Sequence, residues 1–146
     1  GSHGIRIKND VMLKDIFVDA ADTLFLPGGG VGTKNLKACE ELSKLLVSHN
    51  AKGGRIAAIC AAPSALGILG ILEGKNATCY PGFEDQLKGA KFKAVPVVTD
   101  GNITTSRGMG TAIEFASTLI GIIQDPESAD KIKASILYSS DAPQIL

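Results

Sequence analysis

The soft nucleophiles of this 146-residue chain are three thiols, Cys39, Cys60 and Cys79, set beside only two histidines, His3 and His49. At Cys60, position adds to residue type. The run Arg55-Ile56-Ala57-Ala58-Ile59 reads as a buried strand, and Cys60-Ala61-Ala62-Pro63-Ser64 leads straight into an apolar helix through Leu69. No residues are left for an ordinary loop. A turn of that kind holds its central side chain strained and exposed, as a nucleophile elbow does. Ala61 and Ala62 are small enough to allow it. Amides at the helix start would point at the sulfur, and their partial positive charge favours a thiolate over a thiol. The same amides could hold an oxyanion. A second reading stays open on this pattern, because a free cysteine is also a common small core residue.

The other candidates divide similarly. Cys39 falls on the apolar stripe Leu36, Cys39, Leu42, Leu45 and Leu46, which reads as helix core. Cys79 is open, and its neighbour Tyr80 could reach the Cys60 pocket. Pro27-Gly28-Gly29-Gly30-Val31-Gly32 is a glycine-rich loop between a strand and a helix, fit either for an anion or for a tight turn. It has neither the P-loop order nor the dinucleotide order, so no cofactor is expected. Arg107, within Thr105-Ser106-Arg107-Gly108-Met109-Gly110, could bind a carboxylate or phosphate or pair with a surface acid. His49 closes a helix of about 15 residues that starts beyond the glycine loop, which carries it roughly 20 Å from Cys60. It reads as a solvated helix-end residue, and a Cys–His dyad is not supported. His3 has no place readable from spacing.

The elements that must position these residues alternate in type. Thr23-Leu24-Phe25-Leu26 is a continuous apolar strand stopped by Pro27 and the glycines, and the helix from Leu36 onward ends at Gly53-Gly54. Gly4 to Lys8 has a strand pattern, Pro81 to Leu87 a short helix. Ala94 to Thr99 and Ile103 to Thr105 read as strands around an Asp100-Gly101-Asn102 turn. Thr111 and Glu114 form a capping-box pair, and Asp125-Pro126 starts the last helix. This alternation predicts an α/β three-layer sandwich, with a mostly parallel central sheet covered by helices on both faces. In such a sheet the glycine loop and Cys60 share the carboxyl edge, where ligands bind. One domain spanning residues 1–146 is expected.

Composition narrows the function. Lys plus Arg and Asp plus Glu both number 15, giving a net charge of zero, so no basic excess exists to neutralise nucleic-acid phosphates or a membrane surface. No apolar run approaches the ~20 residues of a membrane span. Three irregularly spaced cysteines make neither a disulfide framework nor a metal site, and a reducing cytoplasm is the expected compartment.

The ordered motifs Asp22-Thr23-Leu24-Phe25-Leu26-Pro27-Gly28-Gly29, Ala57-Ala58-Ile59-Cys60-Ala61-Ala62-Pro63 and Thr104-Thr105-Ser106-Arg107-Gly108-Met109-Gly110-Thr111 resemble the ThiJ/PfpI superfamily, most closely its DJ-one branch. The likeness runs from about Gly1 to Tyr138, and the opening Gly1-Ser2-His3 aligns with native family sequence. It implies a flavodoxin-like fold, usually a homodimer, with Cys60 as the reactive residue. It implies oxidative-stress sensing, glyoxalase or deglycase chemistry on small α-oxoaldehydes, or chaperone-like protection. By the same likeness the Gly28, Gly29 and Ala61 amides line an anion or oxyanion site. Gly30, Cys79, Tyr80, Ser106, Arg107 and Gly108 line the pocket, and His3 falls where some relatives carry an anion-binding arginine.

Two departures follow. Relatives often place a His-Pro pair beside the cysteine, where this chain has Tyr80-Pro81; a phenol of pKa ~10 is a poor base at neutral pH, which counts against cysteine-hydrolase chemistry. The family also begins with a strand–helix–strand unit that brings a central strand and a glutamate to the cysteine. This chain lacks that unit, and its loss is expected to leave two raw sheet edges inside the domain. A separate N-terminal fragment completing the fold is therefore expected. Three functional readings result: an oxoaldehyde-converting enzyme, a non-enzymatic redox sensor or chaperone-like binding module in which Cys60 oxidises to a sulfinate, and, third and disfavoured by the absent histidine, a cysteine hydrolase.

Overall fold

The computed structural model of the chain describes residues 5–139. Four strands form one continuous sheet in the order β1-β2-β6-β5: β1 (Thr23–Leu26), β2 (Arg55–Ile59), β5 (Val97–Asp100) and β6 (Ile103–Ser106). β1, β2 and β6 run parallel, with Leu26 opposite Ala58 and Ile59 opposite Ser106. β5 returns antiparallel through the Gly101-Asn102 turn, where Gly101 has a φ of 62° that a side chain would strain. Two short strands, β3 (Asn76–Ala77) and β4 (Lys91–Phe92), make a separate parallel pair.

β2 explains the layering. Its side chains alternate between faces, and every residue from Ile56 to Ile59 is buried. Ile56 and Ala58 enter a cluster with Leu26, Leu46, Leu66, Leu72 and Ile103, which α2 (Glu40–Ala51) and α3 (Pro63–Ile68) cover. Ala57 and Ile59 pack on the other face against Phe115 of α4 (Ala112–Ile123), and Phe115 also meets the Phe25 ring at 5.7 Å. α5 (Pro126–Ser135) packs on α4. Its N-cap is as the sequence indicates, with Asp125 accepting from the Ser128 N–H at 2.7 Å ahead of Pro126. The α/β class, the parallel core and the helices on two faces follow the sequence reading.

Several expectations require correction. Residues 5–8 of the proposed first strand are irregular and exposed, because an extended run becomes a strand only with a ladder partner; Gly4 lies outside the described residues. The helix drawn through Cys39 is two helices, α1 (Gly30–Ala38) and α2, broken at Cys39 in extended conformation. Glu40 and Glu41 open α2, where the helix dipole favours acids, and the Cys39 carbonyl accepts from the Ser43 amide and hydroxyl. Pro81 to Leu87 contributes only the single 3₁₀ turn Glu84–Gln86. Thr111 makes no capping box with Glu114, since its hydroxyl bonds Ser106 Oγ and the Gly108 backbone instead.

His49 is not solvated. It is 3% exposed, and its Nε2 reaches the carbonyls of Asp22 at 3.1 Å and Arg55 at 3.2 Å. Two carbonyl partners require Nε2 to carry a proton. The ring occupies a slot that only glycine leaves open, because a Cβ at Gly54 would lie 2.3 Å from it. Finally, the sheet has no interior gap. The four strands pair without interruption, and among the described residues its edges are the outer sides of β5 and of β1, where Phe25 is half exposed.

Candidate active site

Cys60 sits one residue past β2 with φ 66°, in the left-handed region that a non-glycine residue adopts at a cost of about 1–3 kcal/mol. Two backbone bonds hold it there. Its N–H donates to the Ser106 carbonyl at 2.9 Å, extending the β2–β6 ladder by one step, and its carbonyl accepts from the Tyr80 N–H at 2.9 Å. Behind it, Ala61, Ala62 and Pro63 are buried, and Ser64 Oγ donates back to the Ala61 carbonyl at 2.5 Å. A larger residue at 61 or 62 would have to displace core. The cysteine as a whole is partly exposed.

The glycine loop closes over this turn. A Cβ on Gly28 would stand 2.4 Å from Cys60 Cβ, 2.9 Å from the Ile59 carbonyl oxygen and 3.2 Å from Cys60 Sγ. Gly28 is therefore a steric requirement of the cysteine. Gly29 has φ 92° and serves as the N-cap of α1, accepting from the Thr33 N–H. The amides of Gly28, Gly29 and Ala61 donate to no group among the described residues. Backbone donors left uncommitted around a thiol suit a developing negative charge. Gly30 stands apart, exposed at the first turn of α1 with open space around it.

On the other side, Tyr80, Pro81, Arg107, Gly108, Met109, Gly110 and Thr111 line an open groove of about 350 Å³. The two backbone bonds from Cys60 fix its place, since one leads to Tyr80 and the other to Ser106, next to Arg107. The Tyr80 ring packs against Gly108, where a Cβ would come within 3.2 Å of Tyr80 Cδ2. Ser106 is fully buried; its hydroxyl donates to the Pro96 carbonyl at 2.9 Å and meets Thr111 Oγ1 at 2.7 Å, so it braces the groove wall from behind. Met109, Pro81 and Thr111 were not anticipated here; the glycines flanking Met109 were the available signal of a loop that presents it.

Cys79, expected in the pocket, is fully buried within the aliphatic cluster. Burial, reinforced by the Glu84 and Cys60 charges, pushes its thiol up to about 11 against the opposing pull of Arg107 and a hydrogen bond from the Phe83 backbone. His3 lies outside the described residues. No group of three or more metal-ligating side chains gathers among the described residues.

Residues 1–121 match the DJ-1/PfpI family. The chain belongs to that family. It is 44% identical to Protein DJ-1 homolog A of Arabidopsis thaliana over 92% of this chain and 35% of that protein. It is 35% identical to a Caenorhabditis elegans protein named glutathione-independent glyoxalase DJR-1.2, over 88% of this chain and 69% of the relative. The crystal structure of Drosophila melanogaster DJ-1beta superposes with a TM-score of 0.84 at 35% identity, covering 94% of this chain and 75% of that one. The chain spans about a third of the length of the two Arabidopsis relatives. No helix among the described residues is long and apolar enough to cross a membrane.

Proposed function

We propose that this DJ-1/PfpI chain is a reactive-cysteine protein of the oxidative-stress type whose Cys60 converts small α-oxoaldehydes to 2-hydroxy acids. The observation that carries this reading is the strained elbow at Cys60 together with the uncommitted amides of Gly28, Gly29 and Ala61. The thiolate adds to the aldehyde carbon, forming a C–S bond, and the carbonyl electron pair moves to an oxygen held by those amides. Loss of the carbon-bound proton gives an enediolate, and its return to the neighbouring carbon leaves a thioester beside a hydroxyl. Water then cleaves the C–S bond and releases the acid. One carbon is oxidised and its neighbour reduced, so no external oxidant or cofactor enters. The glyoxalase name of the nematode relative accords with this chemistry.

The proton shuttle needs a base, and no side chain hydrogen-bonds the Cys60 thiol among the described residues. The reading assigns it to a carboxylate on a segment that pairs along the outer edge of β1. Since β1 runs into Gly28, a parallel strand on that edge would end beside the thiol. The working unit is proposed to be a cytoplasmic homodimer completed by that segment. Native and denaturing mass measurements test the assembly. Turnover of methylglyoxal, with Cys60→Ser inactive but folded, tests the chemistry, and retained turnover in that variant refutes it.

The partial exposure of Cys60 beside uncommitted amides also suits a sulfinate, so the non-enzymatic sensor is the second reading. Stoichiometric peroxide oxidation of Cys60 without aldehyde turnover would select it.

A further inference from the structure

The groove beside Cys60 is built asymmetrically. Gly108, Met109, Gly110 and Pro81 make up its apolar lining, yet it contains one cation, Arg107, and one phenol, Tyr80. The Arg107 guanidinium makes no ion pair or hydrogen bond with any group among the described residues, although its backbone is pinned, its N–H donating to the Pro96 carbonyl at 3.1 Å. The salt bridges among the described residues join lysines to acids three or four residues away on helices. Arg107 is also half buried, so its charge is less completely solvated than that of a surface lysine.

The backbone of each residue is held in place. Ser106 and Thr111, bonded hydroxyl to hydroxyl, hold the two ends of the Arg107 loop, and Thr111 also bonds both the amide and the carbonyl of Gly108. The Tyr80 ring rests on Gly108, and the Tyr80 N–H is fixed to the Cys60 carbonyl. A planar five-donor guanidinium and a phenol lining one groove, each on a pinned backbone, make a receptor for a carboxylate or phosphate. The methionine and glycine surface supplies room for the carbons between that anion and the reacting aldehyde.

We infer that Arg107 and Tyr80 form a specificity subsite selecting oxoaldehydes with an anionic group at the end remote from the aldehyde. The inference rests on the Cys60 reading for the reaction, while its binding component stands separately. Methylglyoxal, which has no such group, leaves the subsite unused. Carboxylate and phosphate share the chemistry, and the substrate pair below distinguishes them. Charge-assisted hydrogen bonds to the anion predict a gain of about tenfold or more in kcat/KM over a neutral substrate of similar size.

The test compares methylglyoxal, 4,5-dioxopentanoate and 3-phosphooxy-2-oxopropanal in the full chain with its native partners, for wild type, Arg107→Met, Arg107→Lys and Tyr80→Phe. The ratio of kcat/KM for an anionic substrate to that for methylglyoxal is expected to fall about tenfold in Arg107→Met. Arg107→Lys should restore phosphate preference more than carboxylate preference, because lysine keeps the charge but loses the fork. A smaller drop is expected for Tyr80→Phe. An unchanged ratio in Arg107→Met overturns the inference, as does equal kcat/KM for charged and neutral substrates in wild type. Calorimetric titration of Cys60→Ser with 4-oxopentanoate and with neutral 4-oxopentanamide, whose charged or neutral group lies remote from the carbonyl, separates the two proposals. Arg107-dependent binding of 4-oxopentanoate without turnover of any aldehyde sinks the enzyme reading and keeps the subsite. Equal binding of 4-oxopentanoate and 4-oxopentanamide removes the subsite.

Discussion

Replacing Gly28 by alanine adds a single carbon at the most crowded point of the site. That carbon would lie 2.4 Å from Cys60 Cβ and 2.9 Å from the Ile59 carbonyl oxygen, whereas apolar carbons rest at about 3.5–4.0 Å. Neither neighbour can rotate away, since one is a Cβ and the other is main chain within the sheet. The backbone must therefore part by about 1 Å. Overpacking of this kind costs about 1–3 kcal/mol, which lowers the urea midpoint by on the order of 1 M for a slope of 1–3 kcal/mol/M. A shift of about 1 Å at a reacting group also removes as much as 100-fold in rate. Urea unfolding followed by circular dichroism reads the first effect, and the rate of iodoacetamide labelling at Cys60, followed by intact mass, reads the second. Gly32→Ala in α1 is the control, because its Cβ meets nothing within 4 Å and alanine exceeds glycine in a helix by about 0.8–1.0 kcal/mol. The two substitutions should move stability in opposite directions. If Gly28→Ala unfolds and labels like wild type, the loop does not pack on Cys60 and the reasoning is wrong.

Three further outcomes are expected. Cys60→Gly should unfold at higher urea than Cys60→Ala, by about 1 kcal/mol, because only glycine takes φ 66° without strain; equal midpoints would show the elbow to be relaxed. Burial pushes the Cys79 thiol up to about 11 from its ordinary 9.0, so its stabilising effect is complete below about pH 9 and lost as pH rises toward 11. Over that window urea midpoints should fall, by up to about 1.4 kcal/mol per pH unit, and Cys79→Ala should flatten the slope. His49→Leu leaves the Asp22 and Arg55 carbonyls without their buried donor and should cost about 1–3 kcal/mol; thermal melts showing no loss would mean water replaces the ring.

What the sequence disclosed, and what it hid, divides by the range of the forces involved. β2 and the turn at Cys60 were legible because they are local: an apolar run meets small residues and a proline at the first helical position. β1 and its glycine stop were legible for the same reason. The break at Cys39 was hidden because the apolar period of Leu36, Leu42 and Leu46 continues across it, while the acids that restart the helix resemble an ordinary solvent face. His49 was misread because its partners, the Asp22 and Arg55 carbonyls, are invisible to side-chain patterning, and the slot it fills exists only through the missing side chain of Gly54. Thr111 was drawn away from its cap by Ser106, a competition that spacing alone does not reveal. Cys79 and Tyr80 are consecutive, and strand-like alternation sends one into the core and the other into the groove.

The fixation of Cys60 by the ends of three parallel strands has a consequence for when the proposed site can form. Parallel strands cannot close through a tight hairpin, so β1–β2 and β2–β6 pairing must bridge long stretches of chain before any contact compensates the lost entropy. The β5–β6 hairpin is local and can form early, but it does not by itself strain Cys60. The elbow, the glycine loop above it and the groove beside it therefore come into being together, at the end of folding. Until then Cys60 is an ordinary thiol in an unconstrained turn. On the proposed reading of Cys60, a chain still emerging from synthesis, or caught partly refolded, does not yet present the completed site.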